Sequence, residues 1–269
     1  MLTYQIWGAT DTGRVRKQNE DHILVGRFVK NRGVLGLSLS SDDDFVKAYG
    51  LLLCVADGIG GEAGGEMASR LGLLTLEKAF YAASKDGEAT AVELLQGAAG
   101  KANATLLDVA DNKPQWAGMG ATLSGVCLLG DKYWTFNAGD SRVYRYRNGW
   151  LKQLTRDDTL ADMAIRSGAM SFDEATVSHD SHVLTNCLGK REFTLAVNAG
   201  PTLRNGDRLL VCSDGLYDMV EDERLAALLA EMDAALQDGA TQIRHLLSQA
   251  NRAGGRDNIS VILIQVRDA

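Results

Sequence analysis

Leu51-Leu52-Leu53-Cys54-Val55-Ala56-Asp57-Gly58 is a fully apolar run that stops on an acid and a glycine, and Leu209-Leu210-Val211-Cys212-Ser213-Asp214-Gly215 repeats the pattern. Apolar runs of this length, bounded by turn residues, read as buried strands. A third acid sits in a related setting, Gly255-Arg256-Asp257-Asn258, which feeds into a strand instead of following one. One Asp-Gly after a strand is an ordinary turn, because both residues tolerate the backbone angles. Two with the same lead-in, joined by Asp257, point to a divalent cation held between strand ends. A carboxylate there loses hydration, and a cation offsets the loss.

Working outward, residues 3–10 and 21–29 read as strands beside the apolar strand at 49–56. A helix is predicted from Glu62, with Met67, Leu71, Leu74 and Tyr81 on one face, and a second with Val92, Leu95, Ala99, Ala102 and Leu106 as its stripe. Residues 31–49, including Asp42-Asp43-Asp44, read as a long hairpin loop. From Gly120 to Leu154 the chain alternates and turns at Gly130-Asp131 and Asn148-Gly149, as an antiparallel meander would. Residues 156–190 look irregular. Strands return at 193–198 and 207–213, followed by two helices, the last carrying Ile243, Leu246, Leu247 and Ala250, and a closing strand from Ile259 to Val266. Helices in pairs and strands in runs depart from β-α-β alternation. They predict an α+β fold of antiparallel sheets covered by helix pairs. With only two prolines and no low-complexity linker, the reading is one domain over residues 1–269.

Composition removes several function classes. A formal charge of −7 argues against a broad nucleic-acid surface, while leaving a phosphate substrate open if bound cations reverse the local sign. No apolar stretch approaches the ~18 residues that span a bilayer. The polar start, Met1-Leu2-Thr3-Tyr4-Gln5, does not read as a signal peptide. Cys54, Cys127, Cys187 and Cys212 are far apart and form no C-x-x-C pair, as expected for reduced thiols in the cytoplasm.

Gly58-Ile59-Gly60-Gly61-Glu62-Ala63 fits the dinucleotide pattern G-x-G-x-x-G/A, which would suggest an oxidoreductase. Asp57 would repel the pyrophosphate, however, and the next convincing strand lies some sixty residues on. The glycines are better read as letting a backbone carbonyl face a metal and the helix approach closely. In Gly13-Arg14-Val15-Arg16-Lys17-Gln18-Asn19-Glu20-Asp21-His22, guanidinium groups suited to a phosphate dianion precede carboxylates suited to a hard cation. Asp140, in Asn137-Ala138-Gly139-Asp140-Ser141-Arg142, reads equally as a turn former between Tyr133–Phe136 and Val143–Tyr146 or as a ligand. Asp218 would share a helical face with Asp214.

In order, VRKQNEDH, ADGIGGEAGGEMAS, GMGATL, NAGDSRVYR, LLVCSDGLYD and GGRDNISVILI resemble the motif series of the metal-dependent protein phosphatases, the type 2C family, across about residues 5 to 266. The compact length is similar to that of bacterial members. The resemblance implies a central antiparallel β-sandwich flanked on both sides by pairs of α-helices, a four-layer α-β-β-α arrangement. It further implies a binuclear Mg2+ or Mn2+ centre at one end. Asp57 would bridge the two metals, the Gly58 carbonyl would bind the second, and Asp214 and Asp257 would hold the first. Glu20 and Asp21 match the acidic pair that contacts the centre directly or through water. Arg16 matches the phosphate-binding arginine, and Asp140 and Asp218 match ligands of a third, weaker metal. The implied reaction is hydrolysis of phosphoserine or phosphothreonine by water activated at the metals, with Arg16, Asp57 and Asp214 as the catalytic set. Implied partners are phosphorylated proteins, substrates of a serine/threonine kinase and the kinase itself, met by a monomer.

Two departures from the family pattern stand out. Ile59 occupies the place of a histidine that is a candidate general acid in eukaryotic members. Leu154-Thr155-Arg156-Asp157-Asp158 lacks the histidine that many members carry there, so substrate contacts from the flap-like stretch 157–190 stay open. His22 reads as structural. The competing hypothesis is a catalytically silent phosphoprotein-binding module of the same fold; loss of a bridging Asp or of the Arg would signal it, and Asp57, Asp214, Asp257 and Arg16 are all present.

Overall fold

The computed structural model describes residues 1–60, 64–84, 88–176, 178–234 and 238–269. The Leu51 run forms β5 (Leu51–Ala56), buried at every position. It lies inside a six-stranded sheet with β2 (His22–Val25), β3 (Phe28–Lys30), β8 (Leu123–Leu129), β9 (Lys132–Ala138) and β12 (Ala196–Ala199), in the order β12-β9-β8-β5-β2-β3. The Leu209 run forms β13 (Arg208–Cys212), equally buried. Its sheet also contains β1 (Leu2–Asp11), β4 (Gly33–Ser40), β10 (Arg142–Arg147), β11 (Trp150–Gln153) and β14 (Ile259–Asp268), in the order β11-β10-β13-β14-β1-β4. All pairings are antiparallel. A two-stranded ribbon of β6 (Gly58–Ile59) and β7 (Gly120–Ala121) caps one end.

Alternation sorts the side chains into three apolar clusters. Between the sheets lie Tyr4, Ile6, Ile23, Leu53, Val126, Val143, Val211 and Ile262. The other face of the β5 sheet packs on α2 (Gly64–Phe80) and α3 (Glu88–Asn112) through Leu52, Cys54, Leu73, Leu76, Ala99 and Leu106. After the one-turn α6 (Asp214–Tyr217), the other face of the β13 sheet packs on α7 (Asp222–Ala234) and α8 (Gly239–Arg252) through Tyr144, Leu210, Leu228, Ile243 and Leu246.

Antiparallel register decides where the acids go. Ala56 pairs with His22, Cys212 with Val261 and Arg142, and Asp11 with Ile259. The exits of β1, β5, β9 and β13 and the entries of β2, β10 and β14 therefore share one end.

Several local readings need correction. Residues 31–49 are not a loop: β4 is a full edge strand, and α1 (Asp44–Tyr49) follows. Asp43 caps α1, accepting from Phe45 N at 2.8 Å, and Asp42 pairs with Lys47 at 3.3 Å, so the triple acid begins a helix. The 21–29 strand is a hairpin broken at Gly26, whose φ is +61°. The meander from Gly120 to Leu154 is split, because β9 pairs with β8 and β12 while β10 pairs with β11 and β13. Gly139-Asp140-Ser141 thus carries the chain from one sheet to the other, and Tyr133–Phe136 and Val143–Tyr146 are not hairpin partners. The buried face of α2 is Gly65, Ala68, Ser69, Gly72, Leu73, Leu76 and Phe80; of the expected face, Met67, Leu71 and Tyr81 pack partly buried against the same cluster, whereas Leu74 is 43% exposed. Small residues make the close contact, and a hydrophobic stripe does not register them. Residues 156–190 contain α4 (Leu160–Ser167) and α5 (Phe172–Thr176). The 193–198 strand narrows to β12, and the expected helix start at Glu62 lies outside the described residues.

Candidate metal centre

One cleft of about 550 Å³ at the shared end is lined by Arg16, Glu20, Asp57, Gly58, Asp140, Asp214 and Asp257 together with Ile59, His182 and Lys190. Asp21 lies buried beneath it, and Asp218 stands at its side. Five carboxylates thus face Arg16 and Lys190.

Each acid is fixed by its neighbours. Asp57 leaves β5 with its N–H on Thr122 Oγ1 (2.9 Å), and its carbonyl accepts from Thr122 N (2.9 Å). Thr122 Oγ1 also meets Ser141 Oγ at 2.8 Å, which ties Asp57 to the loop carrying Asp140. That loop is braced on its far side: the Arg142 guanidinium pairs with Asp157 (2.7 Å) and stacks 3.7 Å over Tyr217, whose hydroxyl donates to the Asp140 carbonyl (3.0 Å). Asp158 accepts from Gly139 N at 3.1 Å. The Arg156-Asp157-Asp158 segment, left without a role by the sequence, is therefore the support of Asp140.

Asp21 accepts from Ser213 Oγ at 2.8 Å. Asn258, 4% exposed, accepts from Glu20 N (2.7 Å) and donates to the carbonyls of Thr12 and Gln18 (both 2.9 Å). It locks the Arg16–Glu20 loop against Asp257. Arg16 Nη2 sits 2.7 Å from Asp257 Oδ2. A Cβ on Gly65 would meet Glu20 Oε2 and the Gly58 carbonyl, so the glycine-rich turn provides the close helix approach expected of it.

The electrostatics are those of crowded anions. Burial, then mutual repulsion, pushes Asp57 and Asp214 well above the usual carboxylate range. Burial pushes Asp21 to about 6 and Asp140 to about 7, the latter opposed by His182. Among the described residues, Asp21 Oδ1 and Asp214 Oδ1 are buried without a hydrogen-bond partner. Oxygen donors with unused lone pairs in one cleft suit Mg2+ or Mn2+, which prefer carboxylate and carbonyl ligands.

His182 is the residue the sequence missed. Its Nδ1 is 3.9 Å from Asp214 Oδ2 and its Nε2 is 3.7 Å from Asp218 Oδ2. Ligand atoms of Asp140, His182 and Asp214 fall within 4.8 Å of one another, whereas the sequence paired Asp140 with Asp218. His179-Asp180-Ser181-His182 lies far from any strand end, so nothing local marked it. His22 is buried, and its Nδ1 meets Ser69 Oγ at 2.9 Å on the α2 side, consistent with a structural part.

The family model described as protein phosphatase 2C matches residues 38–249. The serine/threonine protein phosphatase PstP of Mycobacterium tuberculosis is 33% identical over 250 residues, 91% of this chain; the chain spans about half of that relative, 46% of its length. The solved serine/threonine phosphatase of S. agalactiae superposes with a TM-score of 0.84 at 25% identity, covering 97% of this chain and 99% of the other. The solved catalytic domain of PstP in complex with two manganese ions superposes with a TM-score of 0.75 at 29% identity, covering 100% of each chain. The match of the family model over residues 38–249 shows that this chain belongs to the protein phosphatase 2C family.

Proposed function

We propose that residues 1–269 form a single catalytic domain that hydrolyses phosphoserine and phosphothreonine in proteins at a binuclear Mg2+ or Mn2+ centre. The observation that carries this reading is the convergence of Asp57, Asp214 and Asp257 with Arg16 in one cleft. The two manganese ions of the similar PstP domain support the metal assignment. Asp57, Asp214, Asp257, Glu20 and the Gly58 carbonyl are the groups that would hold the pair. Asp21, held by Ser213 Oγ, lies close enough to Asp57 for their charges to repel. Asp140, Asp218 and His182 are available to a third ion.

When bound, such a pair lowers the pKa of a water and neutralises charge that develops on phosphoryl oxygens. The chain's own residues supply the remainder. Arg16 presents a planar fork of donors at the cleft mouth, suited to two phosphate oxygens at once. Ile59, 37% exposed, offers an apolar rim for the substrate chain beside the phosphate. His182 is, among the described residues, the one imidazole lining the cleft and is placed to give a proton to the departing serine or threonine oxygen.

Partners on this reading are phosphorylated proteins, among them substrates of a serine/threonine kinase and the kinase itself, met by a monomer in the cytoplasm. Four buried cysteines that form no disulfide support a reducing compartment. No described helix is long and apolar enough to cross a membrane.

Hydrolysis of p-nitrophenyl phosphate and of a phosphothreonine peptide tests the proposal, with Mn2+, with EDTA, and in Asp57→Ala and Asp214→Ala proteins shown to be folded by circular dichroism. Metal-dependent turnover lost in both variants is expected. Phosphopeptide binding with no turnover under any metal would establish the silent module instead.

A further inference from the structure

A second polar pocket, about 270 Å³, opens at the edge of the sandwich away from the carboxylates, where β9 and β12 of one sheet face β10 and β11 of the other. Its placement follows from alternation. Tyr133 belongs to the core between the sheets, and Thr135, two residues on along β9, shares its face. Val143 belongs to the same core from the opposite sheet, so Arg145 also points inward, and Lys152 lies directly across the ladder from Arg145. The apolar layer therefore ends in two cations and two hydroxyls.

Two polar groups there are unmet. Tyr133 is 1% exposed, yet among the described residues its hydroxyl has no hydrogen-bond partner, and neither has the buried Arg145 Nε. The two groups lie close enough for the guanidinium charge to act on the phenol, but they do not satisfy each other's geometry. Among the described residues no carboxylate lines the pocket. Asp207, the acid that also acts on Tyr133, is taken up by Arg147 Nε (2.6 Å) and by Arg204 N (2.8 Å). Like charges directly opposite each other on antiparallel strands repel, and a buried donor without a partner is costly. One anion between Arg145 and Lys152 would relieve both.

We propose that this pocket is an anion-binding site for a tetrahedral oxyanion of the phosphate or sulfate class, held by Arg145, Lys152, Tyr133 Oη and Thr135 Oγ1. Two unit positive charges match a dianion, and two hydroxyl donors leave oxygens to share in a tetrahedral arrangement. The site is separate from the metal centre, none of whose residues lines it. It does not depend on the proposed catalytic reading.

The test titrates sulfate, inorganic phosphate, acetate and chloride, at matched ionic strength, into the full chain loaded with diamagnetic Mg2+. Amide NMR shifts at residues 133, 145, 152 and 198 are followed, with p-nitrophenyl phosphate hydrolysis measured in parallel. Saturable shifts with sulfate and phosphate are expected, about tenfold weaker in Arg145→Gln and in the exposed Lys152→Gln, with p-nitrophenyl phosphate turnover unchanged in both variants. Equal response to chloride, a preference for acetate, shifts confined to the Arg16–Asp257 cleft, or full retention in both variants would overturn the assignment.

Discussion

Arg16 and Asp257, 241 residues apart in the chain, form a 2.7 Å ion pair at the mouth of the acidic cleft. The side chains are 53% and 35% exposed, so the pair itself contributes little stability. Its meaning is competitive, because Asp257 cannot give the same oxygen fully to both a guanidinium and a metal.

Arg16→Ala should therefore separate two affinities. Removing a charged donor to phosphate lowers kcat/KM for a phosphothreonine peptide by roughly 10- to 100-fold. Mn2+ affinity, measured by calorimetry, should hold or rise slightly, since Asp257 loses its competitor. A parallel fall in both would show that Arg16 supports the metal ligands and not the phosphate.

The crowded acids predict an unusual pH dependence for the metal-free protein. Asp21 and Asp140 titrate near 6 and 7 in the folded state, and Asp57 and Asp214 well above their ordinary value. A raised folded pKa contributes stability that is full below the unfolded value near 4 and is lost as pH rises through the folded value. His22, pushed down to about 4 by burial, works the other way between its ordinary 6.5 and 4. Asp214→Asn isolates the acidic contribution. With EDTA at pH 8 it should melt several degrees higher than the parent, at about 2–4 °C per kcal/mol for a chain of this size, and the gap should close near pH 4. With Mn2+ the order should reverse. A variant that melts lower in EDTA at pH 8 would refute the repulsion.

How much of this was legible follows from what sequence patterns encode. The ends of β5 and β13 and the entry to β14 were readable because a buried strand that meets an acid is locally anomalous. Their convergence was not, since register between distant strands leaves no local trace. Asp140 was ambiguous for the same reason: only the crossing of Gly139-Asp140-Ser141 between sheets separates a ligand loop from a hairpin turn. Asn258, which fastens Glu20 and residues 12 and 18 to the Asp257 turn, could be quoted in a motif but not given a part. Met67, Leu71 and Tyr81 were readable on the packed side of α2, but the close approach at Gly65 and Gly72 was hidden because these residues pack by being small, which hydrophobic periodicity scores as nothing.

That packing gives a paired prediction. In Gly65→Ala the methyl group would meet Glu20 Oε2 and the Gly58 carbonyl, displacing two groups proposed to hold metal. Mn2+ affinity and activity should fall together, with a loss of stability of about 1–3 kcal/mol. Gly97→Ala, on the exposed face of α3 where an added Cβ meets nothing within 4 Å, should stabilise by about 0.5–1 kcal/mol and leave turnover alone. Urea denaturation of both proteins reads the contrast. Equal behaviour would mean that the tight approach at Gly65 has no consequence for the centre.

His182 can be tested through the leaving group. It lines the cleft from the segment between α5 and β12, with its two ring nitrogens toward Asp214 and Asp218. Nitrophenolate departs without needing a proton, whereas a serine or threonine alkoxide does not. If His182 gives that proton, His182→Gln should lower kcat for a phosphothreonine peptide by about 10²-fold or more while reducing kcat for p-nitrophenyl phosphate only slightly. If instead it serves only as a ligand or brace for the acids, both substrates should slow by the same factor, and added Mn2+ should recover much of the loss. Measuring the two substrates across a Mn2+ titration separates these outcomes, because only proton donation makes the defect depend on the leaving group at saturating metal.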